Sequence, residues 1–82
     1  MPTIGEFDGI RVLMYYRDHD PAHFHVEYGD TEALVRIADL SLIEGDVPAR
    51  VLRRVLDWAK PRQAALALNW VKCRNHAAPD RL

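Results

Sequence analysis

Cysteine is all but missing from this chain. Cys73 is the only one in 82 residues, so no intrachain disulfide can form and a zinc site built from cysteines is excluded. Set among apolar residues, Cys73 reads as a small buried hydrophobe rather than a nucleophile. No apolar run approaches the length that spans a bilayer. The opening MPTIGEFDGI lacks the basic segment and apolar core of a signal peptide, so the expected localisation is cytoplasmic. Internal repeats, low-complexity linkers, zinc-finger patterns and RNP motifs are also absent. No glycine-bearing helix-turn-helix lies in the helical half.

What is present suits one small domain, expected over residues 1–82. Hydrophobic residues make up 49% and charged residues 28%, ordinary values for a globular chain. A chain this short buries only about 60–65% of its unfolded surface, so a homo-oligomer or a protein partner would add needed stability. The net charge of −1 conceals a split. Residues 1–49 carry ten acids against three arginines, a net of −7, and residues 50–82 carry eight bases against two acids, a net of +6. The basic half could contact nucleic acid. Packing of the two halves against each other is the simpler expectation.

Strand signals come first and helix signals second, which predicts an α+β fold. The expected architecture is a small antiparallel sheet of three to four strands (residues 10–44) with two C-terminal helices (residues 47–76) packed on one face. Ile10–Tyr16 is β-branched and aromatic, a first strand. His23–Tyr28 alternates strictly, with Phe24, Val26 and Tyr28 on one side and His23, His25 and Glu27 on the other. Gly29-Asp30 fits a two-residue type II′ hairpin turn. That turn pairs Tyr28 with Thr31, Val26 with Ala33, Phe24 with Val35 and Ala22 with Ile37, all on one apolar face. The opposite face pairs Glu27 with Glu32, His25 with Leu34 and His23 with Arg36. A slip of one residue would destroy this agreement between turn and pattern. Residues 39–45 read either as a fourth strand or as a connection. A helix is expected from Asp46 or Val47, with Pro48 in its first turn and an apolar stripe of Val51, Leu52, Val55, Leu56 and Ala59. Pro61 ends or kinks it, and a second helix runs from about Arg62 to Arg74, capped by Asn75. Asn69 interrupts an apolar helix and needs a structural hydrogen bond if buried.

The chemistry concentrates in DHDPAHFHV, Asp18 to Val26, which holds three of the four histidines. Asp18 and Asp20 are good turn residues, and Pro21 presets the turn. His23 and His25 project to one side of a strand as H-x-H metal pairs do, and Glu27, His19, Asp18 or Asp20 could complete the set. The expected Arg36 neighbour opposes a cation there. The expectation is therefore no metal and no cofactor, with His19, His23 and His25 as the alternative metal set. The same Arg36 would keep His23 neutral and usable as a general base. His23, His25 and Arg36 are thus the candidate catalytic residues, and Tyr15, Asp18, His19, Glu27 and Glu32 the candidate binding residues. A third possibility is a recognition surface without catalysis.

MPTI at the start, F-x-G-I-R-V, Y-x-R-D-H-D-P-A-H-F-H-V-x-Y, the later G-D-V-P, Trp58 and Asn69-Trp70 together resemble a family of small bacterial proteins. It is domain-of-unknown-function family four-one-six-zero. Ala22 departs from it, standing where that family usually has a second proline. The resemblance implies no established activity. It implies short proteins often encoded beside another small protein, and a toxin–antitoxin-like or regulatory role exerted through a protein partner. Metal-independent RNA cleavage by the histidine cluster is the alternative that would suit a toxin. No membrane partner is expected.

Overall fold

The computed structural model describes residues 2–82. Five strands form one antiparallel sheet in the order β1-β2-β3-β4-β5. They are β1 (Thr3–Phe7), β2 (Ile10–Leu13), β3 (His23–Tyr28), β4 (Thr31–Arg36) and β5 (Leu42–Asp46). The three to four expected strands become five because β1 is added in front and residues 42–46 resolve as a strand. β1 exists because Asp8 and Gly9, both at positive φ, turn the chain back so that Phe7 pairs with Ile10. Two positive-φ residues between paired strands make a type I′ hairpin, for which Asp-Gly is a preferred pair.

The β3–β4 hairpin has the register the turn predicts. His23 lies opposite Arg36, Phe24 opposite Val35, His25 opposite Leu34, Val26 opposite Ala33, Glu27 opposite Glu32 and Tyr28 opposite Thr31. Gly29 has φ 58° and Asp30 is not at positive φ, as a type II′ turn requires. The Ile37 N–H extends the pairing to the Ala22 carbonyl. The first strand is shorter than expected, ending at Leu13, because residues 14–22 fold back across the sheet.

The C-terminal segment is one helical stretch rather than two separate helices. α1 (Ala49–Ala59) passes through a 3₁₀ turn (Lys60–Arg62) into α2 (Gln63–Arg74) with no loop between them. Pro48 stands at the N-cap, so α1 starts at Ala49, just after the expected Asp46 or Val47. Pro61 sits in the 3₁₀ turn, where its missing N–H costs least. Arg62 Nη1 donates to the Trp58 carbonyl at 2.7 Å and satisfies the acceptor freed there. Asn75 is the C-cap of α2. Among the described residues no helix is long and apolar enough to cross a membrane.

The helical stretch covers one sheet face. Val51, Val55 and Ala59 from α1 and Leu66, Trp70 and Cys73 from α2 join Ile10, Val12, Phe24, Val26, Ala33 and Val35 in one core. Each set recurs at three- and four-residue spacing, so it lies on one helical side. Burial raises the Cys73 thiol above its ordinary pKa, which keeps it protonated and inert. Trp58 stacks on Phe7 with ring centroids 5.6 Å apart.

Asn69 is buried and fully used. Its Nδ2 donates to the Asp80 carbonyl at 2.9 Å, and its Oδ1 accepts the Asp80 N–H at 2.8 Å. It thereby ties the C-terminal tail to α2, and the Leu82 N–H then reaches the Ile4 carbonyl on β1. Asn69→Ala removes both part-buried bonds and releases the Asp80 backbone from α2. The expected cost is about 1–3 kcal/mol, read as a lower denaturant midpoint with an unchanged slope.

The charge split is partly closed by packing. Arg54 pairs with Asp8, Arg74 with Asp20 and Arg81 with Glu6, each joining the basic half to the acidic half. A transverse row of Glu6, Arg11, Glu27, Glu32 and Asp46 crosses the polar sheet face in register. It concentrates negative charge there, while Arg50 and Arg53 are exposed on α1.

Candidate functional site

The sequence of β3 puts Phe24 and Val26 into the core and sends His23 and His25 to the other face. That face would be open if residues 14–22 projected into solvent. Instead the loop doubles back. Arg17 adopts φ 57°, a left-handed conformation rarely taken by a side chain of this size, and its N–H meets the Cys73 carbonyl of α2 at 3.4 Å. Arg74 Nη1 holds Asp20 at 3.2 Å from the same end of α2. Between these two anchors Asp18 is aimed back at β3. The Asp20–Pro21 peptide is cis.

One carboxylate oxygen organises the cluster. Asp18 Oδ2 lies 3.0 Å from His23 Nε2 and 2.9 Å from His25 Nε2. Asp18 Oδ1 accepts the His19 N–H at 2.8 Å. His23 Nδ1 donates to the Pro21 carbonyl at 2.7 Å. A carbonyl can only accept, so that contact fixes a hydrogen on Nδ1 and turns Nε2 toward the carboxylate. The side chains of His23, His25 and Asp18 are 6%, 12% and 19% exposed, so the contacts lie largely out of water. Burial pushes the Asp18 carboxyl up. The hydrogen bonds from His25 and from the His19 backbone, with the charges of both imidazoles, outweigh that effect and hold it below its ordinary value.

Aromatic rings wall the pair. The Tyr15 ring meets His25 edge-on at 4.2 Å, and Trp70 lies 5.2 Å from His23. Burial, then the charges of Glu27, Glu32 and Asp18, raise the Tyr15 phenol above its ordinary pKa, so it stays protonated. His25 Nδ1 is buried without a partner. Beside the cluster a cleft of about 300 Å³ is lined by Asp18, His19, Asp20, Pro21, His23, Leu34, Ile43 and Glu44.

The expected site residues are thus divided. Asp18, His23, His25 and Tyr15 come together. His19 is exposed at the cleft rim, and Asp18, not His19, completes the trio with His23 and His25. Glu27 and Glu32 lie further along the sheet, Glu27 3.5 Å from Arg11. Arg36 corrects the electrostatic expectation. It pairs with His23 in backbone register, yet its guanidinium turns to Asp39 at 3.5 Å, and His23 faces a carboxylate instead of a cation. Both Nε2 atoms face Asp18 and His23 Nδ1 is held by the Pro21 carbonyl, while His25 Nδ1, the one nitrogen without a partner, is buried; proton transfer through either Nε2 therefore needs Asp18 to withdraw. Trp70 and Glu44 are neighbours the sequence did not place at the site. Glu44 was discoverable only once β5 was recognised, since Leu34 joins it in register to His25.

Fold and site together define a small α+β protein whose hairpins carry a buried carboxylate–histidine cluster. The chain matches the family model described as Domain of unknown function (DUF4160) over residues 9–71, and it belongs to that family. The matched region contains every residue of the cluster. No curated protein and no solved structure matches the chain at a significant level.

Proposed function

We propose that the chain acts through a protein partner, as a small regulatory component of the toxin–antitoxin kind that the family resemblance suggests. The observation that carries this reading is β5. All five of its residues are exposed, Leu42 and Ile43 are 44% and 37% open, and it ends the sheet. An apolar edge strand with unpaired N–H and C=O groups is a template for an added strand. Ile43 is the extra residue of a bulge, because Leu34 pairs with Glu44 and Val35 with Leu42. A partner strand along this edge would lie beside the cleft, which Ile43 and Glu44 also line. Glu44 and Asp46 favour a partner segment that mixes apolar and basic residues.

The product of the adjacent gene, co-expressed with the tagged chain, is expected to co-elute with it. Ile43→Lys places a charge on the docking edge and is expected to weaken the complex about tenfold or more, with the fold unchanged by circular dichroism. If size-exclusion with light scattering finds only the free chain at micromolar concentrations, the partner reading fails. A dimer of the chain alone that Ile43→Lys dissolves would assign the same edge to self-association.

A second reading is RNA cleavage without a metal, favoured by the Tyr15 phenol packed against His25. It requires Asp18 to release an imidazole. A mixed RNA pool left intact by the purified chain ends it.

A further inference from the structure

We propose that Asp18 Oδ2, His23 Nε2 and His25 Nε2 form a binding site for one divalent first-row transition ion. The three atoms lie within 4.8 Å of one another, and two of the three separations are already 3.0 and 2.9 Å. Ligand atoms at about 2.0–2.2 Å from a shared ion stand about 3.0–3.4 Å apart, so the carboxylate already has the spacing of a common shell with each imidazole. The two imidazole nitrogens lie within 4.8 Å of each other and would draw closer around an ion.

The surroundings match a metal centre in three further respects. His23 Nδ1 donates to the Pro21 carbonyl, the outer contact that fixes a ligating imidazole with Nε2 toward the ion. Hydrogen-bond accounting points the same way. Each Nε2 faces the same anionic oxygen, so without an ion each contact must be bridged by a proton; when one dication takes their place, the proton between His23 and Asp18 leaves to solvent and that of His25 passes to its unpartnered Nδ1. Finally, Asp18 and His23 line the cleft rather than a sealed core, His25 is bonded to the same Asp18 oxygen, and the exposed His19 and Glu44 share that cleft. Two histidines and one carboxylate fill one side of a shell. The remaining positions face the cleft and take His19, Glu44 or water. Hard oxygen-seeking ions such as Ca²⁺ are disfavoured by the two nitrogen ligands. The site borders the β5 edge through Glu44, but it does not depend on a partner there, and either reading can fail alone.

The test uses the full-length chain stripped with a chelator and titrated with Zn²⁺ by calorimetry and with Co²⁺ by visible absorption. The expected result is saturation at one equivalent, with ligand-field bands from Co²⁺ and a rise of several degrees in the thermal midpoint. His25→Ala and Asp18→Asn are each expected to lose more than about 100-fold in affinity, beyond what outer contacts cost. His76→Ala, at the exposed C-terminal end of α2, is expected to lose none. Because a variant of this cluster can fail to fold, the wild-type chain supplies a second readout. Nitrogen-15 spectra of the imidazoles should show the Nε2 signals of His23 and His25 moving on zinc addition. The proposal is overturned if no saturable binding occurs at micromolar Zn²⁺ or Co²⁺. It is equally overturned if only His19 and His76 respond, or if the folded His25→Ala and Asp18→Asn chains bind as the wild type does.

Discussion

Replacing Gly45 with alanine is expected to destabilise the chain by about 2–5 kcal/mol and to release β5 from the sheet. Gly45 has φ 81°, a left-handed conformation that a side chain rarely adopts. A Cβ there would also stand 2.3 Å from the Glu32 carbonyl oxygen and 3.0 Å from the Ala33 Cα. Both are backbone atoms of the neighbouring strand, so no side chain can swing aside. Either β4 and β5 separate or Gly45 changes its φ, and each ends the pairing of Ala33 with Gly45. A domain of this size has roughly 4–12 kcal/mol of stability in total, so the loss is a large fraction of it. Amide exchange is the decisive measurement. The amides of Glu32 and Leu34, which point toward β5 as the Arg36 N–H points to Ser41, should lose protection, while those of Ala33 and Val35, which face β3 as the Ile37 N–H does, keep it. An unchanged denaturant midpoint would show that the sheet absorbs the methyl group. The same variant should abolish the partner complex, because the docking edge disappears with the strand.

The second large effect concerns Asp18. Asp18→Ala is expected to cost about 2–4 kcal/mol, because His23 Nε2 and His25 Nε2 lose their common acceptor where little water reaches them. The loop at residues 14–22 would then be tied to the sheet chiefly through Arg17 and Arg74, and its amides should exchange faster. Asp18→Asn keeps the shape and one acceptor oxygen, so its cost is expected to be smaller. In the chelated chain the wild type and Asp18→Asn should also differ in acid. The Asp18 carboxyl is held below its ordinary value of 3.8 in the folded state. A depressed folded value means that the unfolded chain takes up the proton first. The contribution is therefore present above the ordinary value and lost as pH falls through the folded one. The stability advantage of the wild type over Asp18→Asn should accordingly shrink below about pH 4. Parallel thermal midpoints down to lower pH would show that Asp18 carries no such linkage.

Much of this was legible in the residues themselves. Gly29-Asp30 and the alternation from His23 to Tyr28 agree on one register, because a shift of one residue would send Phe24 and Val26 into water. The stripe of Val51, Val55 and Ala59 marked the buried side of α1 by the same logic of period. β1 is written just as locally, in Asp8-Gly9 between Phe7 and Ile10, but TIGEF alternates too weakly to mark a strand by period. β5 was harder. LIEGD lies exposed along its whole length, so burial imposed no period on it.

The sequence by itself determined that His23 and His25 share a strand face opposite Phe24 and Val26, since strand geometry alone dictates that alternation. Only the tertiary structure decided what those histidines meet. Backbone register places Arg36 opposite His23, but register says nothing of where a long guanidinium side chain turns, and it turns to Asp39. Asp18 reaches both imidazoles because Arg17 and Asp20 are held by the far end of α2, through Cys73 and Arg74, more than fifty residues away in the chain. A carboxylate five residues before His23 could have pointed anywhere. The contact that makes a site of it is non-local, and no local pattern encodes it.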